Sequence, residues 1–587
     1  MSLVALPEPE LSIADPGPAR DLGARGSRAS VGGDDPGELT PTATAVLAAI
    51  PTWWTAQAQA AGLSGDWLDV HRAVDARWTV VAAAEPALDA TWGTLSGEDV
   101  GAAYVGALAP GIRARHGRHY TPRPLAEQLW AMARAELGHG RKPKPLSGLV
   151  CDPACGSGAL LLPILREHLV ASSAVDPSVV LAGLPSVVEG VDADPAAVWI
   201  ANVVLAAELL PVLRRIPERR RRPLPALAHV GDGLATREGR ARLVVMNPPY
   251  GRVRLSAEER SRFAAVLYGH ANLYGLFLGA GLAALDDKGV LAAVVPTSFT
   301  SGRYFANLRG EIAKTAPLCD VTFVAERGGV FANVLQETCL AVFARSPAQR
   351  TTITSMDAHG LHSVAAVKAH YSSNAWVLPR RSDDAPIAAV AATMPLTLAT
   401  AGWSVSTGPL VWNRRKTDLY PCSAGDRRYV IWAADVDGGM LHRDAARNAM
   451  RYLRIRGEQD SAVLTLETGA ILVQRTTAPE QQRRLVAVEL DDIEVERLGG
   501  VVVENHVNVL RPRVPAPLIS RRMLVALLAT KTLDRLTRCI SGSVAISAYE
   551  LESLPLPAAS VLASWEHLVG AELEAAVAAA YRPVSKR

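Results

Sequence analysis

The sequence predicts an α/β protein: a doubly wound, mostly parallel, seven-stranded sheet, followed by a C-terminal mixed α/β domain. Three observations predict it. Short apolar segments alternate with helical patterns from about residue 111 to 345, the signature of a parallel sheet wrapped by helices. Four of those segments end in Gly, Asp or Asn-Pro turns, the carboxyl-end position where such sheets bind ligands. Beyond about residue 401 the texture changes to strand-like pieces with arginine-rich turns.

In chain order, residues 1–40 are rich in Pro, Gly, Asp, Ser and Arg without periodicity and are expected to be a disordered tail. Residues 41–110 carry helical patterning with Trp53, Trp54, Trp67 and Trp78 as core anchors. The expected strands of the sheet are Leu149–Cys151, Val187–Val191, Ala228–Val230, Leu243–Met246, Val290–Val295, Cys319–Val324 and Thr338–Phe343, the last two an antiparallel edge pair. Residues 346–400 read as a connector. Residues 401–560 form the second domain, with strands expected at Tyr429–Trp432, Ala470–Gln474, Leu485–Val488 and Val501–Val503. Residues 561–587 read as one Ala/Glu/Leu helix and a basic tail.

Composition narrows the function classes. At 587 residues the chain exceeds one core, and 49% hydrophobic with 20% charged residues describes a soluble globular protein. The net charge of +3 gives no global polycation, so any polyanion must meet local positive charge. Six scattered cysteines form no C-x-x-C pair and no zinc spacing, which predicts no metal and reduced thiols in a cytoplasmic protein. There is no secretory leader pattern. The longest mostly apolar run, about Leu273 to Leu285, falls short of the roughly 20 residues a bilayer span requires.

The most informative residues are Asn247-Pro248-Pro249-Tyr250, at the end of an apolar strand. The prolines stop the strand and hold Asn247 and Tyr250 on a rigid turn. An amide acceptor, a fixed carbonyl and an aromatic plate together suit a flat, amino-bearing ring. Earlier, Asp152-Pro153-Ala154-Cys155-Gly156-Ser157-Gly158 allows close backbone approach at Gly156 and Gly158. Alone, this G-x-G is weak: it lacks the dinucleotide fingerprint and the P-loop lysine, and its acid suits a cationic ligand. Asp192 ends the second strand, where a carboxylate holds ribose hydroxyls. Asp194 before Pro195 reads as a helix N-cap. Asp232-Gly233 ends the third strand, and Asp232 is either an adenine acceptor or a turn former.

Taken together, these four strand ends resemble the S-adenosylmethionine-dependent DNA adenine-N6 methyltransferases of the gamma arrangement, restriction-modification type. Further residues carry the resemblance: His119-Tyr120-Thr121-Pro122, Asn272-Leu273-Tyr274-Gly275-Leu276-Phe277, Thr297-Ser298-Phe299 and Val334-Leu335-Gln336-Glu337-Thr338. The resemblance covers about residues 111–345. It implies a methyltransferase sheet and S-adenosyl-L-methionine as cofactor. Thr121, Asp152, Ala154, Gly156 and Gly158 would line its methionine end, Asp192 its ribose, and Asp232 with Gly233 its adenine. It implies Asn247, Pro248 and Pro249 as the catalytic turn, Tyr250 as the plate under a flipped base, and Phe331 as the second plate. It implies double-stranded DNA as partner, a cognate restriction endonuclease or defence-system subunits, and no membrane.

The C-terminal domain is then expected to read the DNA target through Trp412–Lys416, Gln474–Thr477, Gln481–Arg484 and Glu504–Asn508, although such runs are more often solvated surface. Arg113, Arg115, Arg118 and Arg123 are candidate phosphate contacts, whereas Arg219–Arg222 read as a solvated loop. Cytosine-N4 methylation is the alternative, followed by protein-glutamine or RNA methylation. Glutamine methylation would leave the roughly 200 residues after the sheet, a domain-sized length, without a role. Cytosine-C5 chemistry requires a nucleophilic cysteine, and the sole Pro-Cys pair, Pro421-Cys422, lies outside the sheet.

Overall fold

The computed structural model describes residues 20–21, 39–76, 90–109, 111, 120–140, 142–235, 238–324, 337–346, 349–368, 372–442, 448–477, 481–542 and 545–583. Its centre is a sheet of nine strands rather than seven. In chain order they are β1 (Leu149–Asp152), β2 (Val188–Asp192), β3 (Ala228–Val230), β4 (Ala241–Met246), β5 (Leu285–Pro296), β6 (Leu318–Val324), β7 (Thr338–Ala344), β8 (Arg350–Asp357) and β9 (Gly360–Lys368). The spatial order is β9-β8-β6-β7-β5-β4-β1-β2-β3. Strands β3, β2, β1, β4 and β5 are parallel, β7 is antiparallel to both neighbours, and β9 is antiparallel to β8. The β6–β7 pair is antiparallel as expected. It is not an edge, because β8 pairs in parallel with β6 beyond it.

The two extra strands come from the segment read as a connector. Its Thr351-Thr352-Ile353-Thr354 run is β-branched, and Thr351 and Ile353 are fully buried on one face. The rest of that segment is divided: Trp376 and Leu378 pack in a core of the central sheet, whereas Val377, Ala388, Ala391 and Leu398 pack in one core with the C-terminal helices.

Strand periodicity explains why the sheet is covered on both sides. Val150, Leu243, Val245, Ala292 and Val294 face one core, while Cys151, Val244, Met246, Ala293 and Val295 face the other. The first core contains helix Pro195–Arg214 and the N-terminal helices; the second contains helix Leu273–Ala284. Within the first, Trp53 and Trp54 are buried, their indole N–H groups donating to Leu95 O at 2.9 Å and Trp67 O at 3.0 Å. Trp67 is partly buried, and Trp78 lies outside the described residues.

Three expectations change here. Among the described residues, helix Pro195–Arg214, with 20 residues, rather than Leu273 to Leu285, has the length and composition of a membrane span. Fourteen of its residues are buried within the protein, so its apolar surface is that of a central core helix. In the expected disordered tail, Arg20–Asp21 pair in parallel with Arg252–Arg254. The expected single C-terminal helix is two, Ala559–Trp565 and Gly570–Ala580, broken where Trp565 turns into the core and Gly570 takes φ +55°.

Among the described residues, the C-terminal region holds, beside two two-stranded sheets, two larger ones. One is antiparallel, in the order Trp403–Thr407, Val507–Pro512, Ala470–Gln474, Ala487–Leu490. The other is mixed and includes Arg427–Ile431 and Val501–Val503. The region is tied to the tip of β5. Ser301 Oγ donates to Glu550 Oε1 at 2.7 Å, and the buried Arg309 donates to Tyr549 OH at 3.2 Å.

Candidate active site at the strand tips

The tips of β1, β2, β3 and β4 are laced to one another by backbone geometry. The glycine loop after β1 is pulled toward β2 by the Cys155 N–H, which donates to Val191 O at 3.0 Å. Gly156 and Gly158 take φ +50° and +87°, conformations that side chains rarely adopt. Asp192 closes the loop: Oδ2 accepts from Gly156 N–H and Oδ1 from Asp194 N–H, each at 2.9 Å. Asp194 caps helix Pro195–Arg214 by accepting from Ala196 N–H at 3.0 Å, as its place before proline predicts. Past β3, Gly231 N–H donates to Asp192 O at 2.9 Å. Asp232 Oδ1 accepts from Leu234 N–H at 2.9 Å, so its turn-forming role is realised. Gly233 lies so close to Pro153 that a Cβ would strike the Pro153 carbonyl oxygen and the Phe277 ring.

Asp152 is 1% exposed, with Oδ1 accepting from Ala154 N–H at 3.0 Å. Burial pushes its carboxyl up to about 8; the Ala154 hydrogen bond opposes this, and the neighbouring Asp192 charge adds to it. A buried acid of this kind is stabilised in its ionised form by a bound cation. The cradle therefore fits S-adenosylmethionine, a nucleoside bearing positive charge. Its glycines admit close approach, Asp192 places a carboxylate at the tip of β2, and Asp152 offers a counter-charge.

The Asn-Pro-Pro-Tyr turn follows β4. Asn247 Nδ2 donates to Thr121 Oγ1 at 2.9 Å, joining two residues 126 positions apart. This fixes which end of the amide is which: Oδ1 faces away from Thr121. The Tyr250 hydroxyl donates to Asn247 Oδ1 at 3.1 Å and to the β5 carbonyl of Val294 at 3.3 Å. Burial pushes the Tyr250 phenol up, which keeps it a neutral donor. Pro248 is buried, and Pro249 is half-buried beside it.

The sequence left a role for Tyr274 unread. Its ring meets Tyr250 edge-on, centroids 6.1 Å apart at 85°, its hydroxyl lies 2.7 Å from Ser298 Oγ, and it stacks on Phe305 at 4.9 Å. The signal was present in Asn272–Phe277, but which partner each aromatic meets depends on the β4–β5 pairing. Phe331, His119, Arg113, Arg115 and Arg118 lie outside the described residues; Arg123 pairs with Glu127 at an exposed helix start.

Known proteins resemble parts of this chain. Residues 188–331 match the family described as Eco57I restriction-modification methylase. The chain is 22% identical over 326 residues to the Type II methyltransferase M.PstI of Providencia stuartii, covering 53% of this chain and 64% of that protein. It is 23% identical over 336 residues to the Type II methyltransferase M.BsuBI of Bacillus subtilis, covering 54% and 66%. It thus spans just under two thirds of the length of these curated relatives. Among solved structures, the Type IIL restriction-modification enzyme MmeI in complex with DNA is similar at 14% identity and TM-score 0.48, over 84% of this chain and 78% of that one. The match to the Eco57I restriction-modification methylase family covers residues 188–331, which run from strand β2 through the Asn-Pro-Pro-Tyr turn.

Proposed function

We propose that this chain is a sequence-specific DNA methyltransferase that methylates the N6 amino group of adenine within a restriction-modification or related defence system. The observation that carries this reading is the Asn247–Thr121 hydrogen bond, which joins the cofactor segment to the amino-group acceptor. When bound, S-adenosylmethionine supplies an electrophilic methyl on a sulfonium. The chain's own residues do the rest. Thr121 orients the Asn247 amide so that Oδ1 and the Pro248 carbonyl accept the two amino hydrogens. Holding both hydrogens draws the nitrogen lone pair out of ring conjugation and toward the methyl. The rate gain is then positioning and electrostatics, without a covalent enzyme intermediate. Tyr250, on its rigid turn and braced by Tyr274, supplies the plate against which an extruded base stacks. Phe331 is our candidate for the opposite plate.

The region after the sheet supplies target reading in this proposal, and a cognate restriction endonuclease or defence subunit is the expected partner. The test is methylation-sensitive long-read sequencing of DNA from cells expressing the chain. N6-methyladenine in one fixed sequence context is expected. N4-methylcytosine in its place would redirect the target base, and unmodified DNA would overturn the reading.

A further inference from the structure

The N-terminal helical segment reaches the cofactor cradle through helix Gly97–Ala107. A capping box starts that helix: Ser96 Oγ accepts from Asp99 N–H, and Asp99 Oδ2 from Ser96 N–H, each at 3.1 Å. Two turns along, Tyr104 is 1% exposed and donates its hydroxyl to Asp194 Oδ2 at 2.9 Å, across 90 residues of sequence. Asp194 holds its helix with Oδ1 and offers its own N–H to Asp192 Oδ1, while Asp192 Oδ2 takes the N–H of Gly156. A continuous series of hydrogen bonds therefore runs from Tyr104 to the glycine loop. A second contact is independent of it: Gly101 lies against Ser157 and the Tyr120 ring, where any side chain would collide.

We propose that Tyr104 is a positioning residue for the methyl-donor site, setting the orientation in which Asp192 receives ribose hydroxyls. This rests on the reading of Asp192 as the ribose carboxylate. The physical argument is one of lone pairs. Each Asp192 oxygen accepts a backbone N–H on one lone pair, which sets the direction of the carboxylate plane. The direction depends on where the Asp194 N–H sits, and the Asp194 backbone is held by both of its own carboxylate oxygens. Without the Tyr104 hydroxyl, a buried carboxylate oxygen loses a donor. Asp194 recovers it by turning, which carries its N–H away from Asp192.

The experiment is calorimetric titration of full-length wild type and Tyr104→Phe with S-adenosylhomocysteine and with its 2′,3′-dideoxy analogue. Thermal melting checks that the variant is folded. The variant should bind S-adenosylhomocysteine about three- to ten-fold more weakly, the effect of one net hydrogen bond. Its affinity for the dideoxy analogue should change by less than about two-fold. Unchanged binding of S-adenosylhomocysteine, or equal weakening toward both compounds, overturns the proposal, the latter by showing general support of the fold. Should Tyr104→Phe not fold, Asp194→Asn retains a capping oxygen and must show the same ribose-dependent loss. Wild type that binds S-adenosylhomocysteine but does not distinguish the two compounds overturns Asp192 as ribose ligand. Wild type that binds neither overturns the methyl-donor reading itself.

Discussion

The strand-tip cradle and the C-terminal region use polar side chains in opposite ways. In the cradle, Asn247 and Thr121 hold one another, and Asp192 is held by the backbone N–H groups of Gly156 and Asp194. In the C-terminal region, many side chains expected to read DNA are spent on the fold. Gln474 Nε2 donates to Ala433 O and Val436 O, and Gln481 Nε2 to Gln474 Oε1. Asn508 is fully buried within strand Val507–Pro512 and donates to Ile546 O at 2.9 Å. Arg484 is 7% exposed and donates to Thr477, while Arg415 is locked to Asp418 at 2.6 Å and to Asp460 at 2.8 Å. Within the expected reading segments, Asn413, Arg414, Lys416, Thr476, Gln482 and His506 are the exposed polar residues. An arginine-rich texture thus describes how this region is tied together as much as what it could touch.

This contrast can be broken by mutation, and the largest effect should come from the cradle. Asn247→Ala should lower methyl transfer by about 10²- to 10³-fold, the loss typical of one preorganised catalytic hydrogen-bond partner. Cofactor affinity and melting temperature should stay near wild type; parallel loss of cofactor binding would remove the role assigned to Asn247. Asp418→Ala should do the reverse. Asp418 is fully buried and holds Arg415, Arg454 and Arg456, the last two half-exposed. Its removal should cost about 3 kcal/mol of stability, the lower end for a broken buried pair because two partners are partly solvated. Chemical denaturation reads this, and an unchanged midpoint would make the network a surface ornament.

A subtler signature belongs to Asp152, whose carboxyl is pushed up to about 8 by burial. The sign follows from linkage. Its folded value is raised, so ionising it in the fold is unfavourable between about pH 4 and 8, and a bound cation must drive that ionisation. Cofactor affinity should therefore rise as pH increases from 6 to 8, by at most about ten-fold per pH unit, with release of a proton. Asp152→Asn should flatten that dependence, and a flat wild-type profile would exclude Asp152 as the counter-charge. The smallest effect is expected from Arg414→Ala with Lys416→Ala. Stability should not change, and the slope of log binding constant against log salt should fall by about one for each phosphate that is no longer neutralised. An undiminished slope would take this exposed segment out of the DNA interface.

The legibility of the site followed sequence locality. Asp152 to Gly158, Asp192 to Pro195 and Asn247 to Tyr250 each act within a few residues, so the turn chemistry of Gly, Pro and Asp marks them directly. Asp194 as N-cap could be read from Pro195 alone. Long-range partners could not be read in this way. Nothing in Tyr104 or Tyr274 distinguishes a site-bracing aromatic from an ordinary core residue. The hairpin of β8 and β9 was also missed, because a Thr-rich strand with one buried face resembles a polar linker until the strand beside it is known. Asn508 read as a base reader because a buried amide and an exposed one have the same letter.

By itself, the sequence determined the alternation of strands and helices, the turns that end each strand and the order of the acids along them. These depend on backbone sterics and local hydrogen bonding, which a few neighbouring residues fix. Only the tertiary structure decided that Thr121 meets Asn247, that Tyr104 reaches Asp194, and that much of the C-terminal arginine and amide chemistry faces inward. Those pairings are set by sheet order and helix packing over separations of up to 126 residues, where burial, rather than residue type, determines what a polar group can do.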